Sequence, residues 1–363
     1  MKNALLVIVV VSAVSLLTAV FLYFSDSPIV VNHLKDDSPT PHTLDLKEKV
    51  GQLIMIGHWS NTMTDTTTKA ITDLHLGGVV VMDAPGDGGR IRGWSEVWRA
   101  AGSALPLLIA IDQEGGVVSR VTADTFPLTA QPAITSADSA YRTASERAQA
   151  LFTLGINANF SPVLDRSVNP EAFMYERVFR DPESIASLGD AMIRGYQNND
   201  IVAVPKHYPG HPDSADDSHL TLPILTLSPA AYREHTEQFA EVLQAGNVDI
   251  MMTAHVLVPE IDSRYPATLS PLIMEDLRKR IGYQGVVLTD DLAMQAISDQ
   301  WSYEEAAVLA LRAGADMIML AAEPEVASST IAAIISAVEL GELSENRIDQ
   351  AYSRVANLKQ SLE

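Results

Sequence analysis

Eight short apolar runs, rich in β-branched residues and separated by longer stretches with helical spacing, constrain this chain more than any other feature. They are QLIMIG (52–57), GVVVM (78–82), LLIAI (107–111), INANF (156–160), IVAVP (201–205), DIMMTA (249–254), GVVLT (285–289) and DMIMLA (316–321). Near-continuous apolar runs of this length suit parallel strands whose sheet is covered on both faces. The intervening stretches, such as TASERAQALFTLG (143–155) and YREHTEQFAEVLQAG (232–246), have the spacing of the covering helices. Eight such units in about 320 residues predict an α/β fold, a single (β/α)8 barrel of the TIM type. A doubly wound open sheet is the alternative, but no glycine-rich nucleotide turn follows the first run.

A barrel of this kind gathers its functional side chains at the C-terminal ends of the strands. Charged residues or histidines that follow the runs within a few residues include His58, Asp83, Asp112, Asp165, Lys206 with His207, His255 and Asp290. Any one of these is compatible with a cap or a loop. Together they predict a polar, acid-rich mouth. The net charge of −21 and the pI near 4.7 argue against a nucleic-acid partner, since phosphate binding needs Lys and Arg to release counterions. They argue equally against a polybasic hold on anionic lipid. With no cysteine in the chain, disulfides, thiol nucleophiles, Cys-ligated zinc and a lipidated N-terminal Cys are excluded.

The N-terminus is a separate matter. From Ala4 to Phe24 the chain carries no charge over 21 residues, and as a helix it would span about 31 Å, the depth of a bilayer core. A cleavable leader has about 7–15 apolar residues, whereas this run is longer and ends in Phe21, Tyr23 and Phe24. An uncleaved transmembrane anchor is therefore expected over residues 1–24, with a cleaved signal segment as the alternative. Lys2 on one side and Asp26, Asp36 and Asp37 on the other leave the N-terminus in the cytoplasm and export the rest. Residues 25–43, rich in Ser, Pro and Asp, read as a linker, and residues 44–363 as the catalytic domain.

Three segments carry chemistry. The first is Ile111-Asp112-Gln113-Glu114-Gly115-Gly116, followed by Arg120. The second is Lys206-His207-Tyr208-Pro209-Gly210-His211, continuing to Asp216, Asp217, Ser218 and His219. The third is Leu288-Thr289-Asp290-Asp291-Leu292-Ala293-Met294. Carboxylates accept from sugar hydroxyls while Lys, Arg and His donate to them, so such a mouth suits a polyhydroxylated substrate. Glycosidic cleavage then needs a carboxylate nucleophile and a separate proton donor for the leaving oxygen. Asp290, at the end of a β-branched strand, would be aimed rigidly into the mouth, and Asp291 would point elsewhere because side chains alternate. His207, His211, Asp217 and His219 also admit a zinc reading. Against it, two prolines and a glycine keep His207 and His211 from standing one helical turn apart, and HExxH is absent. No metal or other cofactor is expected.

These segments resemble those of family 3 glycoside hydrolases, and specifically the bacterial β-N-acetylglucosaminidase (β-hexosaminidase) branch. That branch shows a DQEGG…R segment, a KH(F/Y)PGH segment with a following D-S-H triplet, and a TDD/SDD-L-x-M segment. The resemblance runs from about Val50 to the C-terminus and takes in NFSPVLD (159–165), ER-x-F-x-DP (176–182), AHV (254–256) and PATLS (266–270). It implies that Asp290 is the nucleophile that forms a glycosyl-enzyme intermediate. It implies that Asp217 and His219 are a dyad on a mobile loop that supplies the general acid/base. Asp112, Arg120, Arg177, Lys206 and His207 resemble the residues that hold the terminal sugar. The dyad is physically reasonable, since imidazole has an ordinary pKa near 6.5 and a carboxylate orients the ring and stabilises its protonated form.

The sequence departs from the family at Val117, where Arg is common, at Pro212 and Arg180, where Gly is frequent, and across residues 170–176 (PEAFMYE). It ends soon after the eighth helical stretch, so the site is expected to be completed within the barrel. The resemblance thus implies cofactor-free, retaining removal of terminal β-linked N-acetylglucosamine from peptidoglycan- or chitin-derived saccharides. The expected partners are an oligosaccharide or muropeptide and the membrane, with the chain acting as a monomer. Three alternatives stand beside this: a β-glycosidase of other specificity, a phosphorylase on the same barrel, and a non-catalytic wall-binding protein.

Overall fold

The structure is a computed structural model, which describes residues 44–362 apart from 61, 85, 87, 103, 104 and 247. Each of the eight apolar runs contains a strand: β1 Ile54–His58, β2 Gly78–Val81, β3 Leu108–Ile111, β4 Ala158–Asn159, β5 Val202–Ala203, β6 Ile250–Met252, β7 Val286–Asp291 and β8 Met317–Leu320. All pair in parallel, in the spatial order β5-β4-β3-β2-β1-β8-β7-β6. The remaining seam, β5 to β6, closes through irregular bonds. Met252 N–H donates to Pro205 O (3.0 Å), Tyr208 N–H to Met252 O (2.9 Å) and Ala254 N–H to Tyr208 O (2.7 Å). Pro205 and Pro209 have no N–H to give a ladder, which is why β5 is shorter than its apolar run. The result is the expected (β/α)8 barrel.

The helices on the outside are set by local chemistry. Ala137–Thr153 begins at a capping box formed by Ser136 and Ser139, and Tyr303–Ala313 at one formed by Ser302 and Glu305. Ala140, Ala144, Ala148 and Leu151 recur at helical spacing and are buried, so small side chains bring Ala137–Thr153 close to Ile185–Gln197. The strands are buried along their length, and each Val, Ile or Leu so covered contributes about 1.5–3 kcal/mol relative to exposure.

The N-terminal end of the barrel is tied by charge. Asp316, fully buried just before β8, accepts from Arg278 (2.5 Å), Arg347 (2.7 Å) and Arg354 (3.1 Å), and from Val287 N–H (3.0 Å). This end of such a barrel serves stability, leaving the other free for chemistry. The anchor expected at Ala4–Phe24 and the linker 25–43 lie outside the described residues. Among those described, no helix is long and apolar enough to cross a membrane.

Candidate active site

The first segment forms a tight hairpin at the end of β3, Gln113–Gly115 against Val118–Ser119. Its two glycines are required by space. Gly115 has φ +89°, and a Cβ there would lie 2.3 Å from Thr129 O; Gly116 has φ +63°, and a Cβ would lie 2.6 Å from that of Ala130. Buried Gln113 mimics a backbone, accepting from Arg120 N–H (2.8 Å) and Val121 N–H (2.9 Å) and donating to Val121 O (2.9 Å). Beneath the turn, buried Arg147 donates to Glu114 O, Thr129 O and the Tyr196 hydroxyl. The hairpin is thereby rigid.

It delivers two carboxylates to three cations. Lys206 Nζ stands 2.5 Å from Asp112 and 2.7 Å from Glu114; Arg177 makes a two-pronged contact with Glu114 (3.0 and 2.7 Å); Arg120 lies 3.4 Å from Asp112. Burial alone would raise both carboxyls and lower the amine. The facing opposite charges outweigh it, holding Asp112 and Glu114 below the usual carboxylate range and Lys206 above the usual amine value. Such a network adds little net stability, but it fixes charged oxygens and N–H groups in place.

A second hub is Asp165, fully buried after β4. One oxygen takes His207 N–H (3.1 Å) and Nδ1 (2.7 Å); the other takes His211 N–H (2.7 Å) and Nδ1 (3.1 Å). Burial would raise this carboxyl, but the two imidazoles hold it well below the usual range. Burial lowers the His207 imidazole, so near neutral pH it is uncharged. With Nδ1–H donating to Asp165, the neutral ring of His207 has its Nε2 lone pair as an acceptor. Asp165, His207 and His211 are also the group whose ligand atoms lie within 4.8 Å of one another, close enough to hold a metal ion. It shares His207 and His211 with the zinc reading of the sequence, but its carboxylate is Asp165 and not Asp217.

At the end of β7 the carboxylates of Asp290 and Asp291 part company. Asp290 faces the pocket, one oxygen accepting from Asp291 N–H (2.8 Å). Asp291 turns back, accepting from Ala293 N–H and Ala321 N–H, both at 2.9 Å. Burial would raise Asp290, but His255, His207 and the Asp291 N–H leave it below the ordinary value; burial pushes Asp291 up to about 6. Behind the strand end, buried His255 lies 2.9 Å from Asp291 O through Nε2 and 2.8 Å from Thr268 Oγ1 through Nδ1. The carbonyl can only accept, so Nε2 carries a proton.

Asp217 and His219 sit on the loop after β5. Asp217 accepts from His219 N–H (2.9 Å) and pairs with its Nδ1 (2.7 Å), which leaves Nε2 for reaction. His219 is 60% exposed in its side chain, unlike the rest of the site. Asp112, Arg177, Lys206, His207, His219 and Asp290 all line one pocket of about 40 Å³, together with Phe160, His211, Ser218 and Met252. Arg120 and Asp217 stand one contact behind it. Every sequence-predicted site residue is therefore in the pocket or touching a residue that is. Glu114, His211 and Ser218 were quoted only as parts of motifs, yet they are structural members of the site; their flanking DQEGG, KHYPGH and D-S-H segments were the signal.

Two members of the expected mouth do not reach it. Asp83, just after β2, is exposed and does not line the pocket. His58 turns away, its ring edge-on to Trp94 and Trp98 and bonded to Thr67 Oγ1 (3.0 Å) and Thr62 O (3.1 Å). A larger cleft of about 690 Å³ opens at the opposite end of the barrel. Its polar lining is bonded into the fold, Arg99 to Gly155 O (2.7 Å) and Gln197 to Asp249 (2.8 Å).

Comparison with known proteins gives the family. The profile of the glycosyl hydrolase family 3 N terminal domain matches residues 45–358. The chain belongs to glycosyl hydrolase family 3. Within the family it is 29% identical over 324 residues to a β-hexosaminidase of Nitrosomonas eutropha, covering 84% of this chain and 91% of that protein. It is 32% identical over 292 residues to β-hexosaminidase A of Pseudoalteromonas piscicida, covering 72% of this chain but spanning only about half (48%) of that one. The structure of a family 3 β-N-acetylglucosaminidase from Paenibacillus sp. superposes with a TM-score of 0.83 at 37% identity, covering 88% of this chain and 63% of that chain.

Proposed function

We propose that this family 3 chain is a retaining exo-β-N-acetylglucosaminidase. The observation that carries the reading is one pocket bounded by a rigid strand-end carboxylate, Asp290, an Asp217–His219 pair and a wall of Asp112, Arg177, Lys206 and His207. In the first step Asp290 attacks the anomeric carbon while protonated His219 gives its Nε2 proton to the departing oxygen, with Asp217 stabilising the imidazolium. In the second, neutral His219 takes a proton from water; the water oxygen bonds to the same carbon and Asp290 leaves as carboxylate. Asp112, Lys206, Arg177 and His207 hold the hydroxyls of the terminal sugar, and Arg120 holds Asp112.

The pocket, at about 40 Å³, is far below the roughly 300 Å³ at which ligand sites usually begin. Outward movement and return of the exposed loop that carries His219 would widen it for a sugar. We infer further that Ala4–Phe24 anchors the chain, that the barrel works as a monomer outside the cytoplasm, and that its substrates are peptidoglycan- or chitin-derived saccharides. The support for the anchor and for export is the uncharged run and its flanking charges, and the saccharide class follows from export together with family membership.

The test is turnover of p-nitrophenyl glycosides of N-acetylglucosamine and of glucose, with and without phosphate. Selective hydrolysis of the first, with phosphate without effect, is expected. Preference for glucose or formation of a sugar phosphate would place the chain with the alternatives, and a wild type inactive on a broad panel would favour a binding protein. Asp290→Ala is expected to lose about 10⁴-fold or more in kcat. A 2-deoxy-2-fluoro glycoside should label Asp290 in a peptide mass map. Hydrolysis of the N-acetylglucosaminide with no label on Asp290 from the fluoro sugar would instead indicate attack by the substrate's own acetamido group.

A further inference from the structure

The acid/base loop bears its two reactive residues on either side of Ser218, and Ser218 is the buried one: 2% exposed, against 60% for the His219 side chain. Ser218 Oγ lies 3.3 Å from His211 Nε2. His211, itself buried, directs Nδ1 at one oxygen of Asp165, which also takes its backbone N–H. Nδ1 donates to the carboxylate, and in the neutral ring Nε2 then accepts from the Ser218 hydroxyl. The other oxygen of Asp165 fixes His207 on the sugar wall. A single buried carboxylate thus grips the sugar-binding side of the pocket and, through two more residues, the loop that carries the proton donor.

The rest of the loop is held from a neighbouring segment. Asp213 accepts from the Ser167 hydroxyl (2.6 Å) and from the N–H groups of Val168 (3.1 Å) and Asn169 (3.2 Å). Phe173 N–H donates to Ser214 O (2.9 Å), and its ring stands edge-on to His211 and His219. Those bonds fix the first half of the loop. The Ser218 carbonyl accepts from Ala296 N–H (3.4 Å), so Ser218 also faces the segment that follows Asp290. Among the described residues the Asp165–His211–Ser218 chain is the hydrogen-bonded path from the D-S-H triplet to the sugar wall, beside the Phe173 ring, which touches both His219 and Arg177.

We propose that His211 and Ser218 are positioning residues for proton transfer: their hydrogen bond is the latch that seats His219 over Asp290 once the loop has returned. The proposal rests on the reading of Asp217–His219 as the acid/base. Because loop return and His207 orientation share Asp165, the donor is seated against the same wall that holds the sugar.

The full chain and its Ser218→Ala variant test this on aryl and disaccharide β-N-acetylglucosaminides of graded leaving-group basicity. A dinitrophenolate departs with little need of a proton, whereas a sugar alkoxide depends on one. The loss in kcat/KM is expected to grow with basicity and to be roughly tenfold greater for a disaccharide than for the dinitrophenyl glycoside. An equal loss on every leaving group, or none, would overturn the latch. Amide exchange over residues 212–221 of the free chain gives a readout that needs no substrate. Faster exchange in Ser218→Ala, with Ala137–Thr153 unchanged, is expected; unchanged exchange in the loop overturns the latch. Wild type that cleaves none of these glycosides, together with faster loop exchange in the variant, would uphold the latch and remove the glycosidase reading.

Discussion

Asp290 and Asp291 are adjacent and chemically alike, and one step along β7 gives them opposite surroundings. Asp290 meets imidazoles and a pocket; Asp291 is buried with two backbone N–H groups for partners, and rises to about 6. A carboxyl raised in the folded state stabilises the fold fully below its ordinary value of 3.8, and that contribution is lost as pH rises through about 6. Asp291→Asn keeps the accepting oxygen and removes the titration. Its melting temperature relative to wild type is expected to improve between about pH 4 and about pH 7.5, by the equivalent of about 2–3 kcal/mol. A difference independent of pH would show that Asp291 titrates as an exposed Asp does. At this scale the sequence was legible where alternation along a strand decides the direction, as for this pair. It was not legible at His58, whose outward turn depends on which neighbours, Trp94 and Trp98, the helix after β2 brings up to it.

Among the elements, the strands were readable because each is defined by a few consecutive apolar residues. Their lengths were less so: β4 and β5 are two residues each, and proline, not loss of apolar character, ends the ladder at β5. The elements at the closed end depend on Asp316, which joins β8 to Arg278 in the helical turn Asp276–Ile281 and to Arg347 and Arg354 in the helix Glu345–Gln360. Asp316→Ala leaves three guanidinium groups without this shared acceptor. It is expected to cost about 3–5 kcal/mol, seen as a lower urea midpoint, with kcat of the folded fraction little changed because the site is at the other end. A marked fall in kcat at unchanged midpoint would mean that the closed end communicates with the mouth.

For the whole molecule, the expected division is an anchor, a linker and an exported barrel. If Ala4–Phe24 spans the bilayer, the full chain should remain in the membrane fraction after an alkaline carbonate wash, while a chain starting at Thr43 should be released. Full-length protein recovered in the soluble fraction with its N-terminus cleaved near Phe24 would show a leader and not an anchor. The acidic surface, at a net charge of −21, is expected to leave the barrel itself without affinity for anionic lipid.

The sequence by itself determined the barrel, and it brought forward the motif residues that gather at one end of it. These follow from local order: runs of apolar residues make strands, and motifs at strand ends fall at the mouth. Only the tertiary structure decided who pairs with whom. Glu114 meets Arg177 across 63 positions, Lys206 meets Asp112 across 94, and Asp165 reaches forward 42 and 46 positions to its two histidines. Each such contact depends on closure of the whole barrel, because charges find partners by distance in space, while burial patterns are written between neighbours in the chain.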